Sequence, residues 1–360
     1  MDIKRIDKNF IGNKLNIGGV SFFDAKEKPF GLYGVFYDKP LGRYLRMPAA
    51  AAARVSEGVN ALNAYTSGGR LRFITDSEYI AIRCVTDSAC LMPHMPLTGS
   101  CGFSLYADGT YYQTFIPDSA AYIEKNNGYE SVVHFPDKRR RDITIYFPLY
   151  NAVRELFVGF APDAALDSGK KYGRKIPIVF YGSSITQGGC ASRPGNSYDA
   201  IVARMLDSDY INLGFSGNCK AESVMADYLT TLDASVFVYD YDANAPDKDY
   251  LEKTHYALYA RYRAVKTNTP IVMLSRPDFD GDKSLNAARR EVIRASYEKA
   301  VASGDENVYF IDGETLFGKT NRDCCTADGC HPNDAGFLRM AETVYPVIKR
   351  IIESFKRPIR

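Results

Sequence analysis

Several features that are common in proteins of this size are scarce or missing from this chain of 360 residues. It has no tryptophan and only four histidines, so each histidine stands out as a candidate for acid–base chemistry. No stretch approaches the ~20 consecutive apolar residues that a membrane-spanning helix needs, which predicts no membrane partner. The 45 basic and 43 acidic residues leave a formal net charge of +2. So weak a field does not favour nucleic acid as a partner.

The chain also lacks a segment typical of a signal peptide. Its first eight residues carry charges where a signal peptide would have an apolar core, which predicts a cytoplasmic location. The eight cysteines are scattered in apolar or loop contexts, as is typical of reduced thiols rather than of a disulfide framework. The one dense basic run covers residues 138–141. We interpret it as a solvated hairpin turn, because single-strand binders combine a basic groove with stacking aromatics.

Short β-prone runs dominate residues 1–165. The pair Asp108-Gly109 lies between two of them and is a strong signal for a two-residue hairpin turn. Many short strands separated by turn signals are typical of an all-β sandwich, and we predict a jelly-roll-like one here. The β-prone runs cover residues 71–85, 103–115, 142–150 and 155–160.

Two segments differ from this β pattern. Residues 49–62 are rich in alanine and predict a helix that Gly58 interrupts. Residues 166–174 are polar and contain two glycines, which is typical of a linker. We therefore predict a sandwich domain over residues 1–165 and a second domain over residues 175–360, joined by this linker.

In the second half, short apolar runs alternate with longer segments of helical periodicity. This alternation predicts a three-layer α/β/α domain with a parallel, flavodoxin-like sheet. Ligands of such sheets bind at the carboxyl ends of the strands. The predicted strands cover residues 176–181, 210–213, 234–239, 271–274 and 308–311. The predicted helices cover residues 198–206, 221–232, 248–266, 284–303 and 334–355. The apolar stripe of the last helix comprises Phe337, Met340, Val344, Val347, Ile348, Ile351 and Phe355.

A carboxylate and a histidine lie three residues apart in Asp328-Gly-Cys-His331, just before the last predicted helix. A general base needs a ring that titrates near neutrality and a second group that fixes its tautomer. A tight turn of this kind can supply both. Ser184 follows the first predicted strand of the second domain and is a candidate nucleophile for this base. Taken alone, Ser184 is equally compatible with an ordinary loop serine that caps a helix.

Two further strand ends carry groups that suit an oxyanion hole. Gly214 and Gly217 follow the second predicted strand, and glycines allow backbone N–H groups to approach a ligand closely. Asn244 follows the third strand and can present its side-chain amide to the same point. The alternative is turn chemistry, since glycine and asparagine also serve turns. Each signal is weak alone, but their order at successive strand ends favours a functional site.

These motifs resemble the four sequence blocks of the SGNH hydrolases, also called the GDSL esterase/lipase superfamily. The blocks are Gly182-x-Ser184-Ile, Gly217, Asn244 and Asp328-x-x-His331. The resemblance covers about residues 175–356. Residues 1–165 resemble the β-sandwich that precedes the catalytic domain in a subset of these enzymes similar to carbohydrate acetylesterases. The segments that carry this second resemblance are 67–77, 102–106, 147–151 and 155–159.

The resemblance implies a role for each site residue. Ser184 would be the nucleophile, His331 the base that takes its proton, and Asp328 the group that orients the imidazole. The backbone N–H groups of Ser184 and Gly217 and the side chain of Asn244 would bind the oxyanion. Each such donor is typically worth ~3–4 kcal/mol of transition-state stabilisation.

The chain departs from the family pattern in two blocks. Ser183 stands where the family name has aspartate, which places a second serine beside the candidate nucleophile. The third block has Asp242-Ala-Asn244-Ala where the family usually has Gly-x-Asn-Asp. The first block also lacks the Gly-x-Ser-x-Gly elbow, which argues against an α/β-hydrolase.

The remaining histidines and cysteines offer a weaker alternative, a metal site beside His331. Zinc ligands usually come as two C-x-x-C pairs, whereas Cys324 and Cys325 are adjacent and Cys330 has no second pair. We therefore predict no metal and no cofactor. We predict structural roles for His94, His134 and His255.

The predicted function is that of a serine carboxylic ester hydrolase that removes O-acetyl groups from carbohydrates through an acyl-enzyme. The alternatives are an acyl-thioesterase or short-chain lipase on the same triad, and a non-catalytic carbohydrate-binding protein that uses the sandwich. The predicted partner is a small-molecule or oligosaccharide ester, and a homo-oligomer is left open. A histidine base predicts activity that falls below about pH 6–7.

Overall fold

The computed structural model describes residues 15, 17–278 and 280–354, and the chain forms two compact units. The first unit comprises the described residues up to Arg46 together with Ala64–Lys171 and Ser192–Gly195. The second comprises Met47–Asn63, Tyr172–Ala191 and the described residues from Asn196 onward. Residues 47–63, predicted from the sequence to lie in the sandwich domain, thus belong to the second unit. The predictions made on residues 1–8 and on Phe355 lie outside the described residues.

The described residues form strands and helices in the following order. The strands are β1 (Ser21–Asp24), β2 (Gly31–Tyr33), β3 (Phe36–Asp38), β4 (Arg43–Leu45), β5 (Arg70–Thr75), β6 (Tyr79–Val85), β7 (Phe103–Ala107), β8 (Thr110–Phe115), β9 (Gly128–His134), β10 (Arg141–Tyr146), β11 (Glu155–Phe160), β12 (Leu166–Ser168), β13 (Arg174–Gly182), β14 (Ser208–Gly214), β15 (Val236–Asp240), β16 (Ile271–Leu274) and β17 (Val308–Ile311). The helices are α1 (Ala49–Val55), α2 (Glu57–Leu62), α3 (Leu97–Ser100), α4 (Ala120–Asn126), α5 (Ser184–Gln187), α6 (Tyr198–Met205), α7 (Ser223–Thr231), α8 (Lys248–Val265), α9 (Lys283–Ala302) and α10 (Asp334–Ser354).

The first unit is the predicted β domain, although it also contains the helices α3 and α4. One antiparallel sheet has the strand order β1-β11-β6-β9, and a second has the order β12-β5-β10-β7-β8, with β2 also paired to β5. Leu71 and Phe73 of the second sheet and Ile80 and Ile82 of the first belong to one buried apolar cluster. Two sheets that share a core in this way form a sandwich, which confirms the prediction.

The predicted hairpin turn joins β7 to β8. Asp108 and Gly109 both have positive φ, 52° and 81°, and Ala107 pairs with Thr110 across the turn. Positive φ at both central residues defines a type I′ turn, whose twist matches that of the flanking strands. The Asp-Gly signal was therefore correct.

The basic run is only partly the solvated turn that was predicted. Lys138, Arg139 and Arg140 are exposed and form ion pairs with acidic side chains, but Arg141 is 2% exposed. Its guanidinium lies 4.2 Å from the ring centre of Phe135 and also pairs with Asp137. Arg141 begins β10, so its side chain packs within the unit rather than facing solvent.

The alanine-rich segment forms two helices that separate at Ser56 rather than at Gly58. Ser56 has an extended backbone, and its hydroxyl accepts a hydrogen bond from Val59 N at 3.1 Å, which caps α2. Gly58 has a different role, because a Cβ at this position would collide with the side chain of Asn218. The glycine thus permits a close approach within the second unit.

The second unit contains the predicted parallel sheet, with the strand order β14-β13-β15-β16-β17. All five predicted strands and the five predicted helices are present, which confirms the α/β class. The predicted linker is wrong at its ends: Leu166–Ser168 forms a strand paired with β5, and β13 already begins at Arg174. Across the described residues, no helix is both long and apolar enough to span a membrane.

Candidate active site

The turn from β13 into α5 separates two adjacent serines. Ser183 is fully buried, and its hydroxyl accepts a hydrogen bond from Ile185 N at 3.2 Å, which caps α5. Ser184 follows at the first position of the helix, and its Oγ lies 2.9 Å from Nε2 of His331. The structure therefore pairs His331 with Ser184. The helix-capping role, which the sequence left open for Ser184, belongs to Ser183.

The loop before α10 orients the imidazole of His331 through Asp328. Oδ1 of Asp328 accepts hydrogen bonds from the backbone N–H groups of Cys330 at 3.0 Å and His331 at 2.7 Å. Its Oδ2 lies 2.7 Å from Nδ1 of His331. Because an ionised carboxylate can only accept, Nδ1 carries the ring proton and Nε2 remains free of a proton to accept one from Ser184.

The electrostatics of Asp328 agree with this assignment. Burial alone would raise the pKa of its carboxyl, but the hydrogen bonds from the backbone and ring of His331 and from Cys330 N outweigh burial. The pKa of Asp328 is lowered to about 2. The carboxylate is thus charged across the neutral pH range, and it stabilises the imidazolium that forms when the histidine accepts a proton.

Backbone hydrogen bonds close this histidine loop at its base. Ala327 N donates to His331 O at 2.9 Å, and Asn333 N donates to Cys325 O at 3.0 Å. The side chain of Asn333 donates to Cys324 O at 2.8 Å and accepts from Gly336 N at 3.1 Å, in the first turn of α10. The loop is therefore anchored to the start of a long helix, which limits the movement of the ring.

The candidate oxyanion groups lie at the neighbouring strand ends. Phe215 N, just after β14, donates to Gly182 O at 2.9 Å, which ties this strand end to the nucleophile turn. Gly217 has a φ of +67° in the turn that Asn218 N closes onto Phe215 O at 2.8 Å. The side chain of Asn244 donates to Phe215 O at 3.0 Å. Asn244 thus contacts the turn that carries Gly217, and its second amide hydrogen stays available for a ligand.

Comparison with known protein families gives two matches. Residues 175–349 match the GDSL-like lipase/acylhydrolase family, and residues 20–166 match the N-terminus of SGNH-hydrolase-type esterases. The chain is an SGNH hydrolase. It is therefore a carboxylic ester hydrolase, as the motifs predicted. No curated protein matches the chain.

Solved structures share the fold of this SGNH hydrolase over nearly its whole length. A protein from Bacteroides ovatus ATCC 8483 described as a GDSL-like lipase has a TM-score of 0.81 and 28% identity, covering 93% of this chain and 98% of that one. A salicylyl-acyltransferase from a tetracycline biosynthetic pathway has a TM-score of 0.73 and 19% identity, covering 96% and 100%. An acetyl xylan esterase from the rumen bacterium Butyrivibrio proteoclasticus has a TM-score of 0.61 and 15% identity, covering 94% and 100%.

Arg289 of α9 supports the hydrolase's Asn244 loop, and the sequence reasoning missed it. Its buried guanidinium donates to Ala245 O at 3.0 Å and also to Asp242 O. A guanidinium that binds two carbonyls holds the loop in one conformation. An arginine within a helical run carries no local sign of this role, since only packing brings it to a loop more than 40 residues away.

Gln187 and Asn212 also support the nucleophile turn and were not assigned a role from the sequence. Oε1 of Gln187 accepts from Ser216 N at 2.9 Å. The amide of Asn212 donates to Thr186 O at 2.6 Å. Both side chains are fully buried polar groups. Their position beside the Ser184 and Gly217 blocks was the only available signal.

The structural roles of His94, His134 and His255 stay predictions, and the structure adds the surroundings of each ring. His255 is buried against the rings of Tyr239 and Tyr241, at centroid distances of 4.9 and 5.8 Å, and burial lowers its pKa to about 3. His255 is thus neutral at neutral pH. His94 and His134 are exposed in the first unit.

The cysteines are free thiols, in keeping with the predicted reduced state. Sγ of Cys325 contacts Nη1 of Arg339 at 3.4 Å, and Sγ of Cys330 contacts Nη2 of Arg276 at 3.6 Å. Each of these thiols therefore faces an arginine, which is an unfavourable neighbour for a cation. The contacts disfavour the cysteine-based metal site considered from the sequence.

Proposed function

We propose that this SGNH hydrolase is a serine esterase that removes O-acetyl groups from carbohydrates through Ser184, His331 and Asp328. The observation that carries the proposal is the unbroken hydrogen-bonded chain from Asp328 Oδ2 through both ring nitrogens of His331 to Ser184 Oγ, with distances of 2.7 and 2.9 Å. These lengths lie within the range needed for proton transfer between a nucleophile and its base.

In the proposed mechanism, Ser184 Oγ attacks the carbonyl carbon of the ester while Nε2 of His331 takes the hydroxyl proton. The negative charge on the carbonyl oxygen is held by the backbone N–H groups of Ser184 and Gly217 and by the side chain of Asn244. His331 then gives the proton to the departing sugar oxygen, which leaves an acetyl-enzyme. Water activated by the same ring hydrolyses this intermediate and regenerates Ser184.

A cavity in the second unit, lined by several charged side chains, supports a carbohydrate rather than a lipid as substrate. It has a volume of about 770 Å³ and lies against Asp328. The charged side chains in its lining include Asp278, Asp280, Lys283, Lys319 and Arg322. Sugar hydroxyls can exchange hydrogen bonds with such groups, whereas a long acyl chain needs an apolar wall.

The solved structures that share this fold differ in the acceptor of the acyl group. The acetyl xylan esterase is named for hydrolysis and the salicylyl-acyltransferase for transfer, although both share this architecture. For this chain we propose water as the acceptor, because the imidazole of His331 can deprotonate a water molecule once it has given its proton to the departing sugar oxygen.

The direct test is acetate release from a panel of acetylated mono- and oligosaccharides, with Ser184→Ala as the inactive control. We expect release by the unmodified protein and none above background by the variant. A comparison of p-nitrophenyl acetate with the octanoate ester separates the alternatives: a clear preference for octanoate would support a lipase or thioesterase instead. Equal properties of Ser184→Ala and the unmodified protein in every assay would leave only a carbohydrate-binding role.

A further inference from the structure

A buried carboxylate lies beneath the nucleophile turn on the adjacent strand. Asp240 is the last residue of β15 and pairs in register with Gly182, the last residue of β13. Only 5% of Asp240 is exposed. A Cβ at Gly182 would collide with Oδ1 of Asp240, so the glycine is what allows the carboxylate to reach the turn.

Asp240 binds the turn on both sides of Ser184. Its Oδ1 accepts from Ser183 N at 3.3 Å and from the hydroxyl of Thr186 at 2.7 Å. Its Oδ2 accepts from the hydroxyl of Tyr198 at 3.1 Å. The carboxylate thus holds the residue before the candidate nucleophile and the residue two positions after it.

The short helix α5 needs such support, because its four residues make few hydrogen bonds of their own. Thr186 and Tyr198 are themselves joined, with 3.0 Å between their hydroxyl oxygens. Asp240, Thr186 and Tyr198 therefore form a closed, buried network under Ser184. Ser183 occupies the position at which the family name has aspartate. The carboxylate that binds this turn belongs instead to Asp240, on strand β15.

We propose that Asp240 is a positioning residue for the nucleophile. It holds the Ser184 turn in the orientation that keeps Oγ within hydrogen-bonding distance of Nε2 of His331. The inference rests on the proposed role of Ser184. It predicts that loss of the carboxylate misplaces Oγ without removing any group that touches the substrate. Small displacements of a reacting atom are costly, and a shift of about 1 Å can lower the rate about 100-fold.

The test is the variant Asp240→Asn, compared with the unmodified protein for p-nitrophenyl acetate hydrolysis and for the rate of labelling by a serine-directed phosphonate. We expect kcat to fall about 10- to 100-fold with little change in KM. The rate constant for labelling, measured per folded molecule by intact mass, should fall by a similar factor. The labelling rate reports the reactivity of Ser184 without a contribution from sugar binding, because the phosphonate carries no sugar.

A matched control is Asp305→Asn. Asp305 is another largely buried carboxylate of the same unit, which accepts from the hydroxyl of Tyr259 at 2.7 Å and from Nε of Arg263 at 2.9 Å. We expect this variant to lose stability but to keep the labelling rate of the unmodified protein. If Asp240→Asn also keeps that rate, Asp240 is merely structural and the proposal is overturned.

A second variant keeps the test decisive if Asp240→Asn does not fold. Thr186→Val removes the closest hydroxyl donor at nearly constant volume, and we expect slower labelling with KM unchanged; an unchanged labelling rate would contradict the proposal. The result of this labelling test can be distinguished from the result of the acetate-release test of the proposed function. Failure to release acetate from any sugar would reject the substrate class, whereas the labelling rates would still decide the role of Asp240.

Discussion

Nδ1 of His331 lies 2.7 Å from Oδ2 of Asp328, three residues earlier in the same loop. One turn of chain therefore holds both the candidate base and the group that sets its tautomer. The backbone N–H groups of Cys330 and His331 bind the other oxygen of the same carboxylate. The orientation of the ring consequently depends on the charge of Asp328 as well as on its position.

This relationship predicts the effect of Asp328→Asn. The amide has nearly the same shape, but its NH₂ group can donate to Nδ1 and so stabilise the tautomer that carries the proton on Nε2. His331 would then be unable to accept the proton of Ser184. We expect kcat to fall by about 10⁴, the loss typical of this change in a serine triad, with the fold retained. Steady-state kinetics and circular dichroism measure the two effects.

The matched control for that variant is Asp233→Asn, which changes an exposed aspartate of the same unit that does not line the cavity beside Asp328. We expect activity within about twofold of the unmodified protein, since surface charges contribute little. A small loss of activity in Asp328→Asn, comparable to that of the control, would contradict the orienting role of Asp328.

Asn244→Ala tests the candidate oxyanion hole. Removal of the side-chain amide should lower kcat by about 10²–10³ and leave KM nearly unchanged, because the oxyanion exists only in the transition state. The measurement is the full dependence of rate on p-nitrophenyl acetate concentration. Asn126→Ala, at an exposed position of α4, is a control that should retain activity. An increase in KM with constant kcat would assign Asn244 to substrate binding instead.

Gly58→Ala tests the close contact between α2 and the turn that carries Gly217. The added methyl group would collide with the carboxamide of Asn218, so we expect a loss of about 1–3 kcal/mol in the free energy of unfolding. We also expect lower activity, because Asn218 directly follows Gly217. Urea unfolding and kcat measure the two effects.

The double variant Gly58→Ala/Asn218→Ala gives the internal control. Removal of the carboxamide leaves room for the new methyl group, so part of the lost stability should return and the two substitutions should be non-additive. Strict additivity would show that the collision with Asn218 is not the cause of the loss.

The stability of the second unit should depend on pH through Asp240. Burial raises the pKa of this carboxyl to about 7, with only partial compensation by hydrogen bonds such as that from Thr186. An unfolded aspartate titrates near pH ~4. Between these values the folded protein keeps a proton that the unfolded chain loses, so this stabilising contribution is full below about pH 4 and is lost as the pH rises through about 7.

The corresponding measurement is the free energy of unfolding between pH 4 and pH 8 for the unmodified protein and Asp240→Asn. As the pH rises, the free energy of unfolding of the unmodified protein should fall steadily relative to that of Asp240→Asn. Asp242, whose pKa burial raises to about 6 despite the opposing charge of Arg276, titrates in both proteins, and its charge contributes to the raised pKa of Asp240. Parallel curves for the two proteins would mean that Asp240 does not titrate in this range.

The sequence predicted the fold class because its signals are local. Apolar runs of four to six residues marked the parallel strands, and the Asp108-Gly109 pair marked a hairpin whose φ values require such residues. Three of the four candidate blocks lie within a few residues of a strand end, and the fourth lies just before α10, so each could be located from local signals. Asp328 and His331 are the clearest case, because a single turn of chain brings them together.

Other features depended on packing between distant segments and had no local sign. The choice between Ser183 and Ser184 follows from the turn into α5, which buries one hydroxyl as a cap and directs the other to His331. The helices α1 and α2, early in the chain, belong to the second unit because their apolar side chains join its core.

The sequence by itself determined the element types and the order of the candidate site residues, because apolar periodicity and turn chemistry act over a few neighbouring residues. Only the tertiary structure decided which polar groups support those residues. Asp240 reaches the Ser184 turn, and Arg289 the Asn244 loop, across more than 40 intervening positions that the local pattern cannot relate. Parallel strands that end side by side, and a helix packed against them, create these contacts, so they exist only once the sheet has formed.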